Sequence, residues 1–153
     1  MEKLFNITLQ NRKTLLNILE NTPKETLVKI PKGYRNNIWW NIAHVTVTQQ
    51  LLVYNRSNVP MLVPQELVDK FKKGTLPDGT MADGEKERIA SLLISAIERT
   101  EEDFKKGVFT EFNEYTTSAK VTLNEVGDAI AFNVFHEGLH LGAIRSLQKA
   151  LAS

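Results

Sequence analysis

Phe135-His136-Glu137-Gly138-Leu139-His140-Leu141-Gly142-Ala143-Ile144 is the stretch that decides how this chain is read. Its two histidines lie four positions apart. On an α-helix that spacing puts both rings on one face, about 40° apart around the axis. Ala129, Asn133, Ile144 and Leu147 fall on the same face, so the rings are expected to point into a core. The remaining histidine, His44, sits in a second strong helical pattern, Asn37 to Tyr54, and shares its face with Asn37, Trp40, Thr48 and Leu51. A lone histidine on an apolar face is ordinarily a core residue with a satisfied hydrogen bond. Two at i, i+4 are a different matter, because each needs a partner where acceptors are few. A divalent metal would supply one.

Working outward, four long helical patterns emerge. The first runs from about Glu2 to Glu20, with Leu4, Phe5, Leu9, Leu15, Leu16 and Leu19 as its apolar stripe. Thr22-Pro23 ends it, since proline cannot continue the hydrogen-bond ladder. A connector, Lys24 to Tyr34, precedes the second, from about Asn36 to Arg56, which Asn36 or Asn37 can cap. Pro64 opens a short helix, Gln65 to Phe71, and Gly74 to Gly79 makes a loop. The third long helix spans about Gly84 to Lys106, capped by Asp83, with Ile89, Leu92, Leu93, Ala96, Ile97 and Phe104 inward. Phe109 to Val121 reads as extended or irregular, pinned by Phe109, Phe112 and Tyr115. Thr122 and Glu125 form a capping box for the fourth helix, which reaches about Ala150. No repeat or linker interrupts the pattern. The expectation is one all-α domain over 1–153, a four-helix bundle with unequal connections.

Composition narrows the function classes. The 153 residues suffice for a substantial core. Nineteen Lys plus Arg against eighteen Asp plus Glu leave no basic footprint for nucleic acid or an anionic membrane. The absence of cysteine excludes disulfides and thiolate ligands and fits a reducing compartment. The first residues turn polar at Gln10-Asn11-Arg12-Lys13, without a signal-peptide core, and no run is long enough to cross a bilayer. A cytoplasmic protein acting on a small molecule is expected.

His136-Glu137-Gly138-Leu139-His140 also matches the H-E-x-x-H pattern of zinc proteases, in which Glu137 would be the general base. The flanks argue against it. The extended form needs glycine at 143 and histidine at 146, where this chain has Ala143 and Ser146. No Asp or Glu follows Glu137, so a downstream carboxylate ligand is impossible and a third ligand must come from upstream.

Asn37-Ile38-Trp39-Trp40-Asn41-Ile42-Ala43-His44, with the His136–Ile144 stretch far downstream, resembles the DinB/YfiT-like superfamily. The family motif is a histidine in the second helix, then H-x-x-x-H-x-G-x-I on the last long helix of a four-helix bundle. Tyr115-Thr116-Thr117-Ser118-Ala119 is similar to the family's segment before that helix. The resemblance covers nearly the whole chain. It implies that His44, His136 and His140 are metal ligands and that Gly142 is the small residue after the second ligand of the last helix. Described members include thiol-dependent S-transferases using bacillithiol or mycothiol, a maleylpyruvate isomerase and metal-dependent hydrolases, and homodimers are usual.

Three imidazoles would leave a divalent cation with open positions, as catalytic rather than structural sites do. Zinc is the default, with nickel, cobalt or iron as the other candidates. The metal would activate a thiol or a water, which makes thiol S-transfer the first reading, hydrolysis the second and a non-catalytic metal-binding protein the third. Trp40, Thr48 and Asn133, one turn from the ligands, are expected to line the pocket. Arg35 and Arg56 flank the second helix and could receive an anionic substrate or thiol. Outward apolar residues of the first and third long helices are expected to need cover from a second copy.

Overall fold

The computed structural model describes residues 1–152. Its long helices are α1 (Glu2–Asn21), α3 (Ile38–Val53), α5 (Glu85–Lys105) and α6 (Val126–Ala152), the four expected from periodicity. Two short ones fill the connections: α2 (Lys24–Val28) and α4 (Gln65–Phe71). The fold is an all-α four-helix bundle with a single two-stranded ribbon, β1 (Tyr115–Thr116) paired antiparallel to β2 (Thr122–Leu123). No helix among the described residues is long and apolar enough to cross a membrane.

The helices divide the work according to their sequences. α1 and α5 are amphipathic and pack on one another, burying Phe5, Leu15 and Leu19 from one and Ile89, Leu93 and Ile97 from the other. α3 has no polar face. Fourteen of its sixteen residues are buried, as an all-round apolar helix must be. It packs most extensively on α6 and also meets α2, α4 and α5. That central position brings His44 up against the last helix.

Several boundaries differ from the sequence expectation. The Lys24–Tyr34 connector contains α2, whose Leu27 is fully buried and draws the segment into a helical turn on the core. α3 stops at Val53, and a 3₁₀ turn, Asn55–Ser57, carries the chain on through Arg56. Asn37 does cap α3: its Oδ1 accepts from the Trp40 N–H at 2.8 Å. Asp83 does not cap α5. Gly84 holds that position at φ 76°, a left-handed conformation suited to glycine. The Thr122–Glu125 capping box is absent because Thr122 pairs with Thr116 in the ribbon. Asp128 serves the entry to α6 instead, its carboxylate accepting from the Asn124 N–H at 2.8 Å. Phe109, Phe112 and Tyr115 pack on the core as expected, with Phe109 edge-on to Tyr54.

The outward apolar surface expected on the first and third long helices is not there. Among the large apolar side chains that are exposed, α1 contributes Ile7 and α5 none, because these helices cover each other. The exposed apolar residues of the last helix are Phe135 and Leu139, on the turns that carry the histidines.

Candidate metal centre

The bundle brings all three histidines together. One ring nitrogen from each lies within 4.8 Å of the others, in the only such group of His, Cys, Asp or Glu among the described residues. Ring centroids are 5.2 Å apart for His44 and His136, 4.7 Å for His44 and His140, and 4.5 Å for His136 and His140.

Partners on the far side of two rings fix which nitrogen faces inward. His44 Nδ1 lies 2.6 Å from the Phe71 carbonyl, which can only accept, so Nδ1 carries the proton and Nε2 is bare. Thr48 Oγ1 lies 3.2 Å from that Nε2. His140 Nδ1 is 2.7 Å from Asn41 Oδ1. Asn41 is itself oriented, since its amide donates to the Asn37 carbonyl at 2.7 Å and so leaves Oδ1 as the acceptor. The proton therefore sits on His140 Nδ1 and Nε2 is free. Outer hydrogen bonds of this kind orient metal-ligating imidazoles and raise their basicity. His136 Nδ1 is buried with no partner, an orphan of the kind a bound cation would relieve.

Burial lowers the pKa of every ring. Desolvation is the main cause for His136, pushed down to about 3, with His140, His44 and Arg12 adding positive charge nearby. Desolvation and His44 bring His140 to about 4. His44 also falls through desolvation, partly offset by its hydrogen bond to Phe71. All three are neutral at pH 7, the form a metal requires. Three neutral imidazoles with converging nitrogens fit a divalent ion of the zinc type.

The cluster forms part of the wall of a cavity of about 390 Å³. Leu51, Phe132, Phe135 and Leu139 supply apolar wall, joined by Tyr115 of the ribbon and by Thr117, Ser118 and Ala119 of its turn. Of the residues expected to line this cavity, Thr48 does. Trp40 does not. It lies flat against His44, with centroids 4.4 Å apart at 12°, and its Nε1–H donates to Thr75 Oγ1 at 3.0 Å. Asn133 does not either. Its side chain donates to Glu137 Oε1 at 2.8 Å inside the bundle. One turn of α6 separates Asn133 from Glu137, and both follow the face toward α1 rather than the histidine face. Arg56 lines the cavity and Arg35 does not.

Glu137 has no path to the histidine cluster as a base. It is fully buried and receives Arg12 Nε and Nη2 at 2.8–3.0 Å. Arg12 also donates to Thr46 Oγ1 and the Val45 carbonyl of α3. The zinc-protease pattern is thus met in letters and not in geometry.

Sequence reasoning passed over Arg12, Asn41, the Phe71 carbonyl and Lys73, which lines the cavity. Arg12 had a readable signal: it occupies the stripe position between Thr8 and Leu15, where α1 is otherwise buried. A backbone carbonyl such as that of Phe71 leaves no such mark.

An all-α bundle whose second and last long helices supply a three-histidine cluster defines the class of protein. The model of the DinB superfamily matches residues 7–144, and the chain belongs to that superfamily. No curated protein matches it.

Proposed function

We propose that this protein is a divalent-metal-dependent enzyme that activates a low-molecular-weight thiol for transfer to an electrophile. The observation that carries the reading is that the three-histidine cluster opens on a cavity without a fourth protein ligand beside it among the described residues. Structural zinc sites are closed by four protein ligands, whereas catalytic ones keep a position open. A bound divalent ion would lower the pKa of a thiol reaching it and so favour the thiolate at neutral pH.

The chain's own residues set the geometry. Asn41 and the Phe71 carbonyl hold His140 and His44 in the tautomer that presents Nε2. Thr48 places a hydroxyl at the cavity wall beside His44. Leu51, Phe132 and Leu139 offer an apolar electrophile a surface beside the cluster. Zinc is the default ion, and nickel, cobalt or iron also suit the donor set. The proposal includes a single domain that works as a homodimer in the cytoplasm, where small thiols stay reduced.

The test is to screen metal-loaded protein with bacillithiol, mycothiol, glutathione and cysteine against a generic aromatic electrophile. Consumption that requires both metal and thiol supports the transferase. Loss of an ester or amide substrate without thiol moves the reading to hydrolysis. No turnover, with a fourth protein ligand closing the coordination sphere, leaves a non-catalytic metal-binding protein.

A further inference from the structure

We propose that the cavity selects an elongated carboxylate-bearing small molecule, with Arg56 reading the carboxylate and the opposite end of the ligand reaching the histidines. The second half of this rests on the metal-dependent reading above; the first does not. The cavity is lined by two cationic side chains and no acidic one. Three neutral imidazoles bring no negative charge to balance them, and a divalent ion would add to the excess.

Arg56 is not committed to a carboxylate of the protein. Lys70, Lys72, Arg88, Arg99, Lys105 and Lys106 each hold a carboxylate of the protein. Neither Arg56 nor Lys73 has a side-chain hydrogen bond or ion pair among the described residues. The Arg56 guanidinium instead lies over the Tyr115 ring, 4.1 Å from its centroid. Stacking holds one face of the guanidinium plane and leaves its edge donors free. This is the arrangement that receives a carboxylate through two parallel hydrogen bonds. The backbone around it is anchored as well, since the Arg56 carbonyl accepts from the Asn113 N–H at 2.7 Å.

Arg56 lies about three helical turns beyond His44, so one compact anion cannot serve both ends. Between them the wall is apolar, with Leu51, Leu52 and Phe132. The fitting ligand carries its charge at one end, an aliphatic or aromatic body in the middle, and a metal-seeking donor at the other.

The protein is loaded with cobalt(II), whose visible absorption reports thiolate binding, and titrated with 8-mercaptooctanoate and 8-mercaptooctanol. The expected result is tighter binding of the acid by about tenfold or more, the value of a charge-assisted hydrogen bond. Arg56→Gln should remove that preference while the alcohol binds as before, which also shows that the variant is folded. Equal affinity for acid and alcohol, or a preference surviving the substitution, would overturn the inference. If neither thiol perturbs the cobalt spectrum, thiol activation fails, and the carboxylate site is read separately by NMR with octanoate against octanamide. Octanoate shifts that depend on Arg56 would uphold it, and equal responses would sink it.

Discussion

Arg12 and Glu137, 125 positions apart in sequence, form a bidentate ion pair from which solvent is wholly excluded. The pair ties α1 to α6 between the two histidines of the last helix, and Arg12 continues into α3 through Thr46 and Val45. Breaking one partner of such a pair leaves an uncompensated buried charge. Glu137→Gln is therefore expected to destabilise the protein by about 3–5 kcal/mol, read by urea unfolding. The double substitution Arg12→Met with Glu137→Leu should recover most of that loss. Because Glu137 does not face the cluster, folded Glu137→Gln should still bind metal. Stability unchanged by Glu137→Gln would contradict the buried pair.

Metal binding is expected to depend unequally on the ligands and on what orients them. His44→Ala, His136→Ala and His140→Ala each remove one of three donors and should reduce affinity severely. Asn41→Ala leaves all three but releases His140 Nδ1. Loss of such an outer partner typically costs about 10–100-fold in metal affinity. Competition with a chromophoric chelator measures both. Full affinity in His44→Ala would remove the helix-crossing site.

The sequence carried the bundle because four long stretches kept one hydrophobic period each. It carried the histidine cluster because i, i+4 spacing fixes a face. Asn133 shows where that logic stops. Counting turns placed it beside His136, but a side chain on the border of two faces goes to whichever offers a partner, and Glu137 was already recruited by Arg12. Trp40 shows the same limit: it shares His44's face yet packs flat against the ring instead of reaching the cavity. Thr122 read as a cap, but strand pairing with Thr116 used the backbone first. The partner of Arg12 and the cavity position of Lys73 could not be read without knowing which helices meet.

Acid should destabilise the metal-free protein through the histidines. Unfolded, each binds a proton near pH 6.5, about its ordinary value. Folded, His136 and His140 resist protonation down to about 3 and 4, and His44 is lowered too. Between those limits the unfolded chain holds more protons, so stability is full above about pH 6.5 and falls as pH drops below it. Thermal unfolding of the apo protein in steps from about pH 7.5 to 5, a range above most carboxylate titrations, checks this. His136→Ala should flatten the profile. A wild-type midpoint constant across that range would show the rings to be solvated.

The assembly proposal has a direct measurement. Phe135 and Leu139 are the exposed apolar residues of α6, and both line the cavity. Light scattering at micromolar concentration should give twice the chain mass, with a largely apolar interface of about 1,200 Å² or more. A monomer at that concentration would remove the homodimer from the proposal.

Trp40 gives the site a built-in reporter. Its indole lies flat on His44 and within 6.3 Å of the His140 ring centroid. Trp39, the other tryptophan, points elsewhere, edge-on to Phe71 at 5.6 Å. Cobalt(II) or nickel(II) held by the three histidines would sit close enough to quench Trp40, and zinc, with no unpaired electrons, would quench far less. Titration with cobalt should therefore lower tryptophan emission in step with metal bound. Trp40→Phe should abolish most of that change while leaving metal stoichiometry intact, at a stability cost of about 1 kcal/mol for the lost hydrogen bond to Thr75. Binding without quenching in the wild-type protein would mean that the metal sits away from His44, and the three-histidine assignment would fall with it.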